Sequence, residues 1–139
     1  LICGFGNEKS TINAKRDESL PGRVMYIGEN ANVTLQNLIL TGGYLKNDEN
    51  KNGGGIYSKG ICNLNYCTIS GNTAKAPGGS VRGGGVYIES GSFTMEDCTI
   101  SGNTAGSETD NANAYGGGIF GASGTIIMNN TTAPAAPLE

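Results

Sequence analysis

Residues 53–74 read GGGIYSKGICNLNYCTISGNTA, and residues 83–105 repeat them as GGGVYIESGSFTMEDCTISGNTA. A shorter third copy, GGGIFGASGTIIMNNTT, occupies residues 116–132. The Gly-rich starts fall at 53, 83 and 116, so the period is 30 and then 33 residues. Repetition on that scale marks a solenoid, in which each unit buries its apolar face only against its neighbours.

Alignment of the copies exposes an alternation inside each one. The second copy places Val86 and Ile88, then Phe93 and Met95, then Cys98 and Ile100 at alternate positions, followed by Asn103. The first copy gives Ile56 and Ser58, Cys62 and Leu64, Cys67 and Ile69, then Asn72. The third gives Ile119 and Gly121, Ile126 and Met128, then Thr131. Period two is the pattern of a strand with one face inward and the other outward. Three short strands divided by Gly, Ser or Asn corners therefore predict one turn of a single-stranded parallel β-helix. The absence of a hexapeptide period argues against the left-handed form of that fold.

An earlier copy lacks the Gly triplet but keeps Met25, Ile27, Val33, Leu35, Leu38 and Leu40 in phase, with Gly42 and Gly43 at a corner. Residues 1–4 read as the last strand of a coil before that, with Ile2 inward and Cys3 outward. The expected organisation is an all-β domain over residues 1–132, with about four coils near 22–45, 53–74, 83–105 and 116–132. It is expected to be a piece of a longer solenoid, and residues 133–139 an unstructured tail or a cloning remnant. Polar stretches at 46–52, 75–82 and 106–114 recur at one phase, so they are expected to leave the solenoid as loops along one edge. A longer stretch, 6–21, interrupts the first copy and is expected to hold an added strand around Ile12.

Composition removes several function classes. The 139 residues include 24 Gly without a period of three, which excludes collagen. His is absent, so the usual general base and the Ser-His-Asp triad are absent too. Nine basic and twelve acidic residues give a net charge of −3 and no basic stripe, which argues against nucleic acid as a partner. No apolar run reaches the roughly 18–20 residues of a membrane-spanning helix. Neither a cofactor nor a metal is expected.

Positions that recur form ladders when coils stack. Asn72 over Asn103 is read as a structural corner pair, with amides serving corner backbone groups and each other. Cys67 over Cys98 is read as a pair of small inward fillers, and Cys62 as a third inward thiol. Ile69 and Ile100 are inward on the same strand, while Thr68 and Thr99 face out. On the opposite phase, Tyr57, Tyr87 and Phe120 share one outward position, and Tyr26 extends the row. These aromatics are the candidate ligand-binding residues, since an exposed aromatic stripe stacks on sugar rings or seats a partner protein. The competing expectation is a row that is shielded by loops and stacks only on itself.

The motifs Gly54-Gly55-Ile56, Gly84-Gly85-Val86 and Gly117-Gly118-Ile119, paired with Ile69-Ser70-Gly71-Asn72 and Ile100-Ser101-Gly102-Asn103, resemble the repeats of right-handed parallel β-helix surface proteins. The similarity is to polymorphic outer-membrane proteins and to autotransporter or adhesin passengers, and it spans most of residues 22–132. The resemblance implies a right-handed coil and a bacterial, cell-surface or secreted setting. It further implies a non-catalytic stalk and interaction surface, with a host or neighbouring-cell glycan or protein as partner. Uncapped coils add the expectation of end-to-end self-association.

The enzymatic alternative is a fragment of a polysaccharide-active β-helix, a lyase or hydrolase, with its catalytic coils elsewhere. Such enzymes use aligned carboxylates, often with Ca²⁺ or a basic residue. Here Asp48, Glu49, Glu89, Glu96, Asp97, Glu108 and Asp110 lie in loops or at unaligned positions. The pair Glu96-Asp97 has Asn65 and Tyr66 as its first-copy equivalents, so no catalytic residue is assigned.

Overall fold

The computed structural model describes residues 1–46, 51–107 and 113–133. Alternating short runs with tight corners fold there into strands numbered β1 to β18 in chain order, with no helix among the described residues. Successive strands of each ladder come from successive coils and pair in parallel, so the architecture is a β-solenoid of about four turns.

One ladder stacks β3 (Met25–Ile27), β7 (Ile56–Ser58), β12 (Val86–Ile88) and β17 (Ile119–Gly121). The longest joins β1 (Ile2–Cys3), β4 (Asn32–Gln36), β8 (Ile61–Asn65), β13 (Ser92–Glu96) and β18 (Thr125–Asn129). A third holds β2 (Ser10–Asn13), β5 (Leu38–Thr41), β9 (Thr68–Ser70) and β14 (Thr99–Ser101). Register follows the sequence repeat: Val86 lies between Ile56 and Ile119, Phe93 between Cys62 and Ile126, and Ile100 beside Ile69. The inward phase is as the alternation dictates, with Ile56, Leu64, Ile69, Val86, Phe93 and Met95 fully buried.

Each full coil has a fourth strand beyond the three that were expected. The fourth ladder is β6 (Tyr44–Leu45), β10 (Thr73–Ala76) and β15 (Thr104–Ser107), so the middle coils run past residues 74 and 105. Ala74 and Ala76 point inward on β10, but alanine is a weak strand former and gives little apolar signal. The segments read as loops at 75–82 and 106–114 are likewise partly structured. A fifth ladder, β11 (Val81–Arg82) with β16 (Ala114–Tyr115), crosses them. Leu45, Ala74, Ala76 and Val81 form a second small core there, with Ala105 packed against it. That edge of the solenoid is therefore a ledge with its own interior.

The amino-terminal reading also changes. Ile2 pairs with Leu35, so β1 is the second strand of its tier and not the last. The strand around Ile12 is no addition: Ile12 pairs with Leu40, making β2 the regular third strand of that tier. Ala133, read as the start of the tail, packs against the main core; residues 134–139 lie outside the described residues. The inward side chains Ile126 and Met128 of β18 are 39% and 42% exposed, because among the described strands β18 has a partner only on the β13 side.

Corners explain the glycines. Gly53, Gly83 and Gly116 have φ of 70°, 66° and 56°, a region costly for other residues. A Cβ on Gly54 would sit 2.6 Å from the carbonyl oxygens of both Gly84 and Thr73. Backbone of the next coil and backbone of the same coil's fourth strand converge there, so the triplet marks where each turn closes. A different corner is built without glycine: Asn37, Tyr66, Asp97 and Asn130 stack with φ of 56°, 53°, 50° and 45°. Asn and Asp tolerate this conformation, and the Asn130 amide donates to the Asp97 carboxylate.

Among the described residues one inward polar group lacks a partner. The Ser58 hydroxyl is fully buried between Ile27 and Ile88 of the neighbouring coils and meets no acceptor or donor. Ser58→Ala removes the desolvation cost of that hydroxyl and should stabilise the chain by about 1 kcal/mol. An upward shift of the urea midpoint at unchanged slope is the expected reading.

Candidate functional site

The outward face of the β3–β7–β12–β17 ladder is where large side chains gather. Strict register places Tyr26 over Tyr57, Tyr57 over Tyr87 and Tyr87 over Phe120. Ring centroids are separated by 5.4, 5.0 and 6.0 Å, so the four rings form one continuous row, stacked in its two outer pairs and tilted by 47° between Tyr57 and Tyr87. All three predicted ligand residues thus come together, and Tyr26 extends the row. Access is uneven along it. Tyr26 is 54% exposed, Tyr57 and Phe120 are half-buried, and Tyr87 is 9% exposed.

Residues that the sequence reading did not single out frame this row. Tyr115 on β16 lies 6.1 Å from Phe120 with its ring tilted by 49°, and it is 38% exposed. The Arg23 guanidinium sits 5.0 Å from the centre of the Tyr57 ring. The Arg82 guanidinium sits 5.5 Å from Phe120 and 5.7 Å from Tyr115. A cation over an aromatic face is attracted by the ring quadrupole, by about 0.5–2 kcal/mol depending on desolvation. Arg23 is locked by two further bonds, Nε to the Gly53 carbonyl at 3.3 Å and a terminal nitrogen to the Asn52 carbonyl at 3.2 Å. Burial lowers the pKa of Arg23 from its ordinary value, while the tyrosines beneath it act in the opposite sense.

A carboxylate completes the strip. The Tyr57 hydroxyl donates to Glu89, which also pairs with Lys59 across the coil boundary at 3.5 Å. Burial and this bond to Glu89 raise the Tyr57 phenol, keeping it protonated. Glu89 is thereby a positioning group for the central rung. The sequence signal that could have found the arginines is weak, because each lies on the segment leading into a coil and outside the repeated motif.

The structural ladders are also in place. Asn72 is fully buried. Its amide donates to the Leu40 and Ser70 carbonyls at 3.1 Å and to Asn103 Oδ1 at 3.0 Å, and its oxygen accepts from the Gly43 N–H at 3.0 Å. Asn103 in turn donates to the Ile69 carbonyl at 2.9 Å. Cys67 and Cys98 stack inward, each sulfur 3.4 Å from a carbonyl of the preceding coil, Leu35 and Leu64 respectively. All four cysteines are free thiols. Burial pushes the Cys62 thiol up to about 12, and contact with Cys98 together with burial raises Cys67.

Among the described residues the acidic side chains do not converge. Glu96 is exposed at the end of β13, and Asp97 occupies the left-handed corner, bonded to Asn130 and interacting with the Tyr66 hydroxyl. Asp48, Glu49, Glu108 and Asp110 lie outside the described residues. Among the described residues no group of three or more Cys, Asp or Glu side chains is placed to hold a metal ion. A separate hollow of about 480 Å³ near the amino terminus is lined by Asn7, Lys9, Gln36, Asn37 and Tyr66 among others. No protein-family model, curated protein or solved structure shows a significant match to the chain.

Proposed function

We propose that the chain is a non-catalytic, adhesin-like β-solenoid of a cell-surface or secreted protein, acting as a stalk and presenting a side face to glycans. The observation that carries this reading is the outward ladder of Tyr26, Tyr57, Tyr87 and Phe120, flanked by Tyr115 and two arginines. Aromatic side chains on a solvated sheet face cost solubility, and their flat faces suit the apolar C–H faces of sugars. The parallel ladder underneath fixes their spacing, so little conformational entropy is lost when a ligand docks. Motif resemblance to surface β-helix proteins supports the same setting.

A glycan-binding screen of the intact chain tests the reading, alongside the Tyr26→Ala/Tyr115→Ala double variant. Binding by the wild type, lowered about tenfold or more in the double variant with an unchanged melting temperature, is the expected result. Cleavage of a bound polysaccharide would replace the stalk by the enzymatic alternative. Binding that the double variant leaves intact would move the site elsewhere.

A further inference from the structure

The two arginines beside the aromatic row are not equivalent. Arg23 spends its donors on the Asn52 and Gly53 carbonyls and is tied to the scaffold. Arg82 is held only through its backbone, whose N–H donates to Asn52 Oδ1 at 2.9 Å, and through ring contacts with Phe120 and Tyr115. Ring faces stabilise the charge but supply no oxygen acceptor. No ion pair and no hydrogen bond engages the Arg82 guanidinium among the described residues, and Glu89 is committed to Lys59 and Tyr57. A half-buried guanidinium therefore presents a planar fork of N–H donors at the end of a stack of rings.

We infer that Arg82, Tyr115 and Phe120 form a subsite for a carboxylate-bearing sugar unit, with the uronate carboxylate received by the guanidinium and the sugar ring lying against the aromatics. This assignment rests on the glycan-binding reading of the same face and names its ligand class. A fork of parallel N–H donors matches a carboxylate in two-point geometry. An acidic peptide fits less well. Glutamate carboxylates ride on flexible aliphatic stems and bring no flat apolar face to the Phe120 and Tyr115 rings, even though β16 and β17 end their ladders and leave an edge open. The side chains offer stacking plus one cation, which is what a pyranose acid uses.

Calorimetric titration of the intact chain with a galacturonate tetramer, a galactose tetramer and hexaglutamate tests the inference, for wild type, Arg82→Gln and Arg82→Lys. The uronate should bind about tenfold or more tighter than the neutral sugar, because hydrogen bonds to a charged group carry that much discrimination. The preference should weaken with added salt, vanish in Arg82→Gln and be only partly kept in Arg82→Lys, which retains the charge without the fork. Equal binding of both sugars, unaffected by Arg82→Gln, overturns the acid assignment and leaves the glycan platform standing. Binding of neither sugar overturns the platform itself. Hexaglutamate binding as tightly as the uronate overturns the sugar class. The salt dependence of the wild type decides the matter even if a variant folds poorly.

Discussion

Ile69→Asp should unfold the chain or lower its stability by roughly 4 kcal/mol or more, whereas Thr68→Asp and Thr99→Asp should each cost about 1 kcal/mol or less. Ile69 is fully buried, between Leu40 of one neighbouring coil and Ile100 of the other. A carboxylate there would meet aliphatic side chains above and below and the Cys67 thiol beside it, with no cation in reach. Thr68 is adjacent in sequence but half-buried on the outer face, where its hydroxyl accepts from Lys9 Nζ at 2.7 Å. An aspartate at that position would face a lysine, and Thr99 is exposed. Thermal and urea unfolding of the four variants, including Ile100→Asp, checks the contrast. Threonine variants that proved the more damaging would invert the in/out register and every ladder built on it.

Asn72→Ala should destabilise by about 2–4 kcal/mol, and Asn72→Asp by more at neutral pH. The alanine leaves the Gly43 N–H, the Leu40 carbonyl and Asn103 Oδ1 without their amide partner in a dry corner. The aspartate retains an acceptor for Gly43 but points a second oxygen at the Leu40 and Ser70 carbonyls and at Asn103 Oδ1, all of them acceptors. Protonation of that aspartate would restore one donor, so the Asn72→Asp deficit should shrink as the pH falls. Urea midpoints measured for both variants at pH 7 and pH 4 read this directly. A deficit independent of pH would mean that the corner is wet and the amide ladder is not the reason for the asparagine.

Much of the scaffold is legible in the sequence. The Gly triplets, the inward phase of Ile56 to Asn72 and of Val86 to Asn103, and the outward row of Tyr57, Tyr87 and Phe120 all follow from period-two alternation repeated at one spacing. The parts that escape it each have a physical reason. Ala74 and Ala76 are inward but too small to stand out, so the fourth strand leaves no apolar signal. Tyr66 sits at a positive φ that its residue type disfavours, and it takes that conformation because Asn37 and Asp97 stack on either side of the same corner.

Sequence alone determined that this protein is a coil of short strands and which side chains point into it, because alternation along a strand is a local property and each repeat restates it. Tertiary structure alone decided which side chains frame the outward row of rings. Arg23 reaches a ring 34 residues away and Arg82 reaches one 38 residues away, across a boundary between coils that no repeat describes. Hydrogen-bond register between successive turns brings those residues together, and register depends on where each intervening segment re-enters the ladder. The intervening segments differ in length and composition from one coil to the next, so the arginines and Tyr115 that frame the row had no periodic signature to read.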